Sequence, residues 1–183
     1  MFGMFKLLLS EIFACRLDSE AYGFLSQYPR MVDWWLSHGR ESAQEFRDFN
    51  TFRSKFYAEW KEAWKGYNSQ HAQTSCSFAF KALNSKVQSK DELKPSFAFV
   101  SPVLAKVDDK TLVFTTNQTK KARVELVPKT SAQCVLLEQT QNQYWQVGQV
   151  FLTPKWCAMP FARKLDLTKE NDPTLQEFLK YNL

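Results

Sequence analysis

The spacing of apolar residues changes once along this chain, at Lys94-Pro95, and that change restricts the fold more than any motif does. Before it, apolar residues recur every three and four positions, as on one face of a helix. After it, β-branched and aromatic residues alternate with polar ones in short runs broken by turns. Helices in one block and strands in another make an α+β fold, because each layer must bury its apolar face against the other. With 183 residues, 44% hydrophobic and 15% aromatic, the chain can bury a sizeable core as one large domain or two small ones.

The helical half is clearest from Phe52 to Leu83. One helix aligns Phe52, Phe56, Trp60, Ala63, Trp64 and Tyr67, and Gly66 ends it. A second, capped at Asn68-Ser69, aligns Ala72, Cys76, Ala79, Phe80 and Leu83, with Val87 just beyond. Upstream, Asp18 or Ser19 caps a helix that puts Ala21, Phe24, Leu25, Tyr28, Met31, Val32 and Trp35 on one side. Pro29 kinks or restarts that helix, and His38-Gly39 closes it. Glu41 to Phe49 reads as a short helix or helical turn and Gln88 to Pro95 as a polar connector. Phe5 to Leu9 reads as a strand that has to pair with strands of the far half.

The far half offers six candidate strands: Phe97 to Leu104, Thr111 to Thr116, Ala122 to Val127, Cys134 to Gln139, Tyr144 to Leu152 and Trp156 to Arg163. Asp108-Asp109-Lys110, Asn117-Gln118-Thr119 and Gln141-Asn142-Gln143 are turn signals between them. Short strands at regular spacing predict a small barrel, and Gly148 inside the fifth run predicts a bulge or bend. The expected architecture is a helical insert of about four helices on an antiparallel β-barrel of about six to seven strands. Its divisions are a first barrel strand over 1–16, the insert over 17–95, the barrel over 96–165 and a tail over 166–183, with a last helix at Thr174 to Tyr181.

Several chemistries find no support in these residues. The five glycines form no phosphate loop, and there is no Gly-x-Ser-x-Gly elbow. Only two histidines occur, His38 and His71. Cys15, Cys76, Cys134 and Cys157 are far apart, and the pair of His71 and Cys76 lacks a second pair to complete a zinc site. Asp91-Glu92 and Asp108-Asp109 sit in turns without a further carboxylate placed for a two-metal site. The sequence therefore gives no reason to expect an enzyme, a metal or a cofactor. The opening run is interrupted by Lys6 and Glu11, which makes a poor signal peptide, and no stretch approaches the roughly 18 uncharged residues of a membrane span. A soluble, cytoplasmic protein is expected. Net charge is +5, spread as 13 basic against 11 acidic residues up to Pro95 and 11 against 8 beyond it. Such a charge is compatible with a polyanionic partner without demanding one.

The order of elements resembles the N-terminal lobe of the TnpB-like RNA-guided nucleases, relatives of the small type V CRISPR effectors. The stretches that carry the likeness are LSQYPRMVDWWLSHG, then FRSKFYAEWKEAW, then NSQHAQTSCSFAFKALNS, followed by Lys94-Pro95, TLVFTT, a strand ending in LVP, and LTPKW downstream of Gly148. The similarity spans roughly residues 5 to 165. It implies recognition helices plus a wedge barrel that hold a guide RNA scaffold and help read the DNA motif beside the target. It also implies binding without cutting, since the RuvC-like nuclease domain of the family is expected to begin about where this sequence ends. A truncated form, a split system with the nuclease on a separate chain, and a domesticated fragment all fit. The charge is modest for such a lobe.

Lys120, Lys121 and Arg123 form the densest basic cluster and are the leading phosphate-contact candidates, followed by Lys155, Arg163 and Lys164. Lys55, Lys61 and Lys65 flank the aromatic helix, where a solvated helix face serves as well. Gln141, Asn142, Gln143 and Tyr144 make a polar hairpin tip that could read base edges or simply turn the chain. The expected partner is guide RNA or DNA, with no membrane. The alternative is a protein-interaction module, a viral or defence-complex subunit, docking through the aromatic helices without nucleic acid.

Overall fold

The computed structural model describes residues 5–42, 46, 48–85 and 96–165, with the backbone alone at 5, 6, 41, 164 and 165. A long strand, β1 (Phe5–Leu17), leads into three helices, α1 (Ser19–Ser42), α2 (Phe49–Ala63) and α3 (Ser69–Asn84). The far half holds β2 (Ala98–Val100), β3 (Ala105–Asp108), β4 (Thr111–Thr115), β5 (Lys121–Val127), α4 (Ser131–Gln141), β6 (Gln146–Val147), β7 (Val150–Leu152) and β8 (Trp156–Leu165). The strands join in the order β2-β7-β8-β1-β5-β4-β3, with β6 added on β8, and every ladder is antiparallel. The result is an α+β fold, helices packed on a curled half-barrel.

β1 is the keystone. Its first part pairs with β8 from Phe5↔Leu165 to Ala14↔Trp156, and its end pairs with β5 from Ala14↔Val127 to Leu17↔Val124. The first strand thus depends on partners far along the chain, as its isolation in the sequence requires. It runs well beyond Leu9. Phe13, Leu112, Phe114, Val124, Leu126, Met159 and Phe161 form the concave face of one core that continues into Phe24, Tyr28, Met31 and Trp35 of α1. Trp35 then reaches α3, donating its indole N–H to Ser75 Oγ at 3.1 Å.

Local chemistry explains the helix starts. The Asp18 carboxylate accepts the Ala21 N–H at 2.7 Å, Asp48 accepts those of Asn50 and Thr51, and Asn68 accepts that of Gln70. α1 does not stop at His38-Gly39. Gly39 is buried, and a Cβ there would strike Leu83 of α3 and crowd Phe52, so this glycine serves close helix packing rather than termination. Pro29 likewise lies inside the continuous helix. Glu41 and Ser42 close α1 and Phe46 is buried against Phe52 and Phe56 outside any helix, while residues 43–45 and 47 of the short helix or helical turn expected there lie outside the described residues.

Three strand expectations are corrected. Cys134 to Gln139 is helical, within α4. Thr130 caps it by accepting the Gln133 N–H, and Gln133, Leu136, Leu137 and Thr140 are buried at helical spacing. Phe97 to Leu104 divides after Val100, because Pro102 has no N–H to pair and Leu104 turns back onto the Ser101 carbonyl. Tyr144 to Leu152 divides at Gly148 into β6 and β7. Its N–H donates to the Pro160 carbonyl at 2.7 Å, and a Cβ would lie 2.8 Å from the Pro160 ring. The bend expected at this glycine is present. Val87, the connector Gln88 to Pro95 and the helix expected at Thr174 to Tyr181 lie outside the described residues.

Candidate nucleic-acid interface

The basic cluster at the β4–β5 turn is built as a clamp. Asn117 opens the turn, its side-chain oxygen accepting the N–H groups of Thr119 (3.0 Å) and Lys120 (2.9 Å). The turn is tied to the helices at several points. Gln118 donates its N–H to the Gly66 carbonyl at 3.0 Å, and Tyr67 bridges to Asn117. Thr116 donates its hydroxyl to Glu20 of α1 at 2.7 Å, and the same carboxylate holds Lys120 Nζ at 3.5 Å. Behind the turn, His71 lies fully buried with Nε2 2.9 Å from the Thr115 carbonyl, which only an N–H can satisfy. Nε2 therefore carries the proton, and Nδ1 is left without a partner. Burial pushes the His71 pKa down to about 4, against the opposing effect of its carbonyl neighbours.

Alternation along β5 decides what faces water. Lys121, Arg123 and Glu125 point outward, while Ala122, Val124 and Leu126 point into the core. The register sets Lys106, Val113 and Arg123 side by side across β3, β4 and β5, with Thr115 beside Lys121 in the next row. Arg16 of β1 pairs with Glu125 at 3.6 Å, and Lys106 with Asp108 at 3.6 Å. Among the described residues no carboxylate pairs with Lys121 or Arg123. These two are the uncompensated cations of this face.

The other candidates scatter. Lys155 is exposed at the β7–β8 turn, where its carbonyl accepts the Cys15 N–H, next to Arg16 on β1. Arg163 lies half-buried on β8 opposite Leu7, its guanidinium over the Tyr144 ring at 5.6 Å. Only the backbone of Lys164 is described, paired with Lys6. Gln141, Asn142 and Gln143 form the exposed end of α4 rather than a hairpin tip, with Asn142 as its C-cap and Gln143 at φ 64°. Lys55 rests over the Phe46 and Phe56 rings at 5.0 and 5.5 Å. Lys61 and Lys65 are exposed, and only Lys65 adjoins the Gly66 loop that meets the β4–β5 turn. The aromatics of that helix are inside: Phe52, Phe56 and Trp60 are buried, Trp60 stacked on Trp35.

Arg16 and Lys106 are the members of this face that sequence reasoning missed. The signal for Lys106 was present, since a hairpin turned at Asp108-Asp109-Lys110 sets it opposite Val113. A second outward surface is apolar. Leu8 and Ile12 of β1 are 65% and 61% exposed, beside Trp156 on β8 at 38%. Among the described residues no group of three or more His, Cys, Asp or Glu side chains could hold a metal ion, and no helix is long and apolar enough to cross a membrane. In comparisons with known proteins, no family model and no curated protein matches the chain.

Proposed function

We propose that this chain binds nucleic acid through the outer face of β3, β4 and β5, as the non-catalytic lobe of an RNA-guided nuclease of the TnpB-like kind. Guide RNA or target DNA is the ligand, and cutting belongs to a RuvC-like domain outside these residues. The observation that carries the reading is the pair Lys121 and Arg123, outward on one strand, with no carboxylate paired to either side chain among the described residues, and anchored by a turn tied to α1, α3 and the α2–α3 loop. Fixed cations on a stiff scaffold suit phosphate contacts, which position a polyanion without reading its sequence. The strand–insert–half-barrel order is the one that the resemblance implies. Free thiols at all four cysteines go with a cytoplasmic setting. Filter binding to a structured RNA at low salt tests the proposal. Binding that weakens steeply with added salt is expected, and no retention at low salt overturns it.

The exposed Leu8, Ile12 and Trp156 favour one second reading, a protein-docking module whose contact is this sheet surface rather than the buried rings of α2. Partner binding would then be nearly flat with salt.

A further inference from the structure

We infer that the seat on the outer face of β3–β5 takes a single strand of nucleic acid, one backbone unit lying over Val113 between Lys106 on one side and Lys121 and Arg123 on the other. The inference rests on the nucleic-acid reading above and narrows it. A shallow cavity of about 190 Å³ opens there, lined by Val103, Leu104 and Val113 beside Thr115 and the two cations Lys106 and Lys121. Ligand pockets that enclose a small molecule typically run from about 300 to 1,000 Å³. This one is too small to enclose a free nucleotide, yet it can receive one ribose or base of a chain held on both sides.

The spacing fits a single backbone. Lys121 and Arg123 are two residues apart on one face of β5, about 7 Å, and Lys106 and Arg123 are separated by two strand spacings, about 10 Å. That width spans one sugar-phosphate chain. Duplex DNA offers proteins a major groove about 12 Å wide that admits a helix or a two-stranded ribbon. A three-stranded sheet face cannot enter it and would touch a duplex only along its backbone. Single strands are held differently, by a basic groove that tracks the phosphates while bases stack on side chains, aromatic ones above all, a contact that an exposed aliphatic residue has to supply here. The Lys106–Asp108 pair is solvent-exposed on both sides and weak, so a phosphate can replace the carboxylate. Val103, 77% exposed at the cavity edge, is the apolar side chain best placed to meet a base.

The test uses the whole chain and fluorescein-labelled RNA of about 12 nucleotides, single-stranded or as the matching duplex, across a salt series. Single-stranded RNA is expected to bind more tightly than duplex. Replacing both Lys121 and Arg123 by Ala should lower the slope of log K against log salt by about 1.4, or about 0.7 per cation. Val103→Asp should weaken binding at every salt concentration. All three positions are exposed, and an unchanged thermal midpoint by circular dichroism verifies the fold. Binding that prefers duplex overturns the single-strand seat and leaves nucleic-acid binding by this face intact, whereas binding that ignores these variants overturns the seat and moves nucleic-acid binding off this face. No binding of either RNA at low salt overturns both.

Discussion

The basic residues of α2 and those of β3–β5 look alike in the sequence and end in different situations. A helix turns about 100° per residue, so Lys55 stands about 120° around the axis from Lys61, while Lys65 lies past the end of α2 in the loop before α3. The three are spread over the back and the end of a helix whose Phe52, Phe56 and Trp60 lie in the core. On β5 the period of two sends Lys121 and Arg123 to one face without exception, and pairing brings Lys106 beside them from another hairpin. A strand gathers charges that a helix distributes. What makes a basic stretch a candidate surface is the geometry under it, more than its count of lysines.

The sharpest way to break this contrast is to test whether the α2 rings are structural. Trp60→Ala removes a buried indole stacked on Trp35 and should destabilise the fold by about 3–5 kcal/mol, read as a lower urea midpoint. A loss under about 1 kcal/mol would mean that these rings are not the core of the insert. The next effect concerns the clamp behind β4. His71 is buried neutral with its pKa depressed from 6.5 to about 4, so the unfolded chain binds the proton more readily. Above pH 6.5 its ionisation makes no difference to stability, since the group is neutral in both states. As pH falls from 6.5 towards about 4 the native state loses stability, about 2 kcal/mol of it already by pH 5. Urea melts at pH 7 and 5 should show that loss in the parent and not in His71→Gln.

Much of the fold was legible because local and long-range requirements agreed. Asp18 and Asn68 cap where capping residues precede an apolar stripe, and the lone first strand could be satisfied only by distant partners. α4 was not legible. Its run Cys134-Val135-Leu136-Leu137 is apolar at consecutive positions and fits either period, so only Thr130 and the buried Gln133 and Thr140 distinguish it. Gly39 misled for the opposite reason, since a glycine chosen for close packing looks in sequence like one that ends a helix. In the candidate site, Lys121 and Arg123 could be assigned to one face by alternation alone. The ion pairs could not, because Glu20 reaches Lys120, and Arg16 reaches Glu125, only once β1 and α1 are set against β5.

Two smaller effects sharpen the contrast. Replacing Lys61 and Lys65 by Ala should leave the salt slope of RNA binding within a few tenths of the parent, against the larger fall expected from the β5 pair. An equal fall would put α2 in the interface. The smallest change in stability comes from Glu20→Gln. An exposed ion pair contributes roughly 0.2–1 kcal/mol, and Lys120 is 62% exposed, so the urea midpoint should hardly move while the amide oxygen can still accept the Thr116 hydroxyl. Binding should move the other way. Lys120 loses its carboxylate, becomes a third uncompensated cation beside Lys121 and Arg123, and should steepen the salt slope by about 0.7 for a single strand. If affinity and slope stay as they are, Lys120 belongs to the clamp that holds the turn and not to the surface that the turn presents.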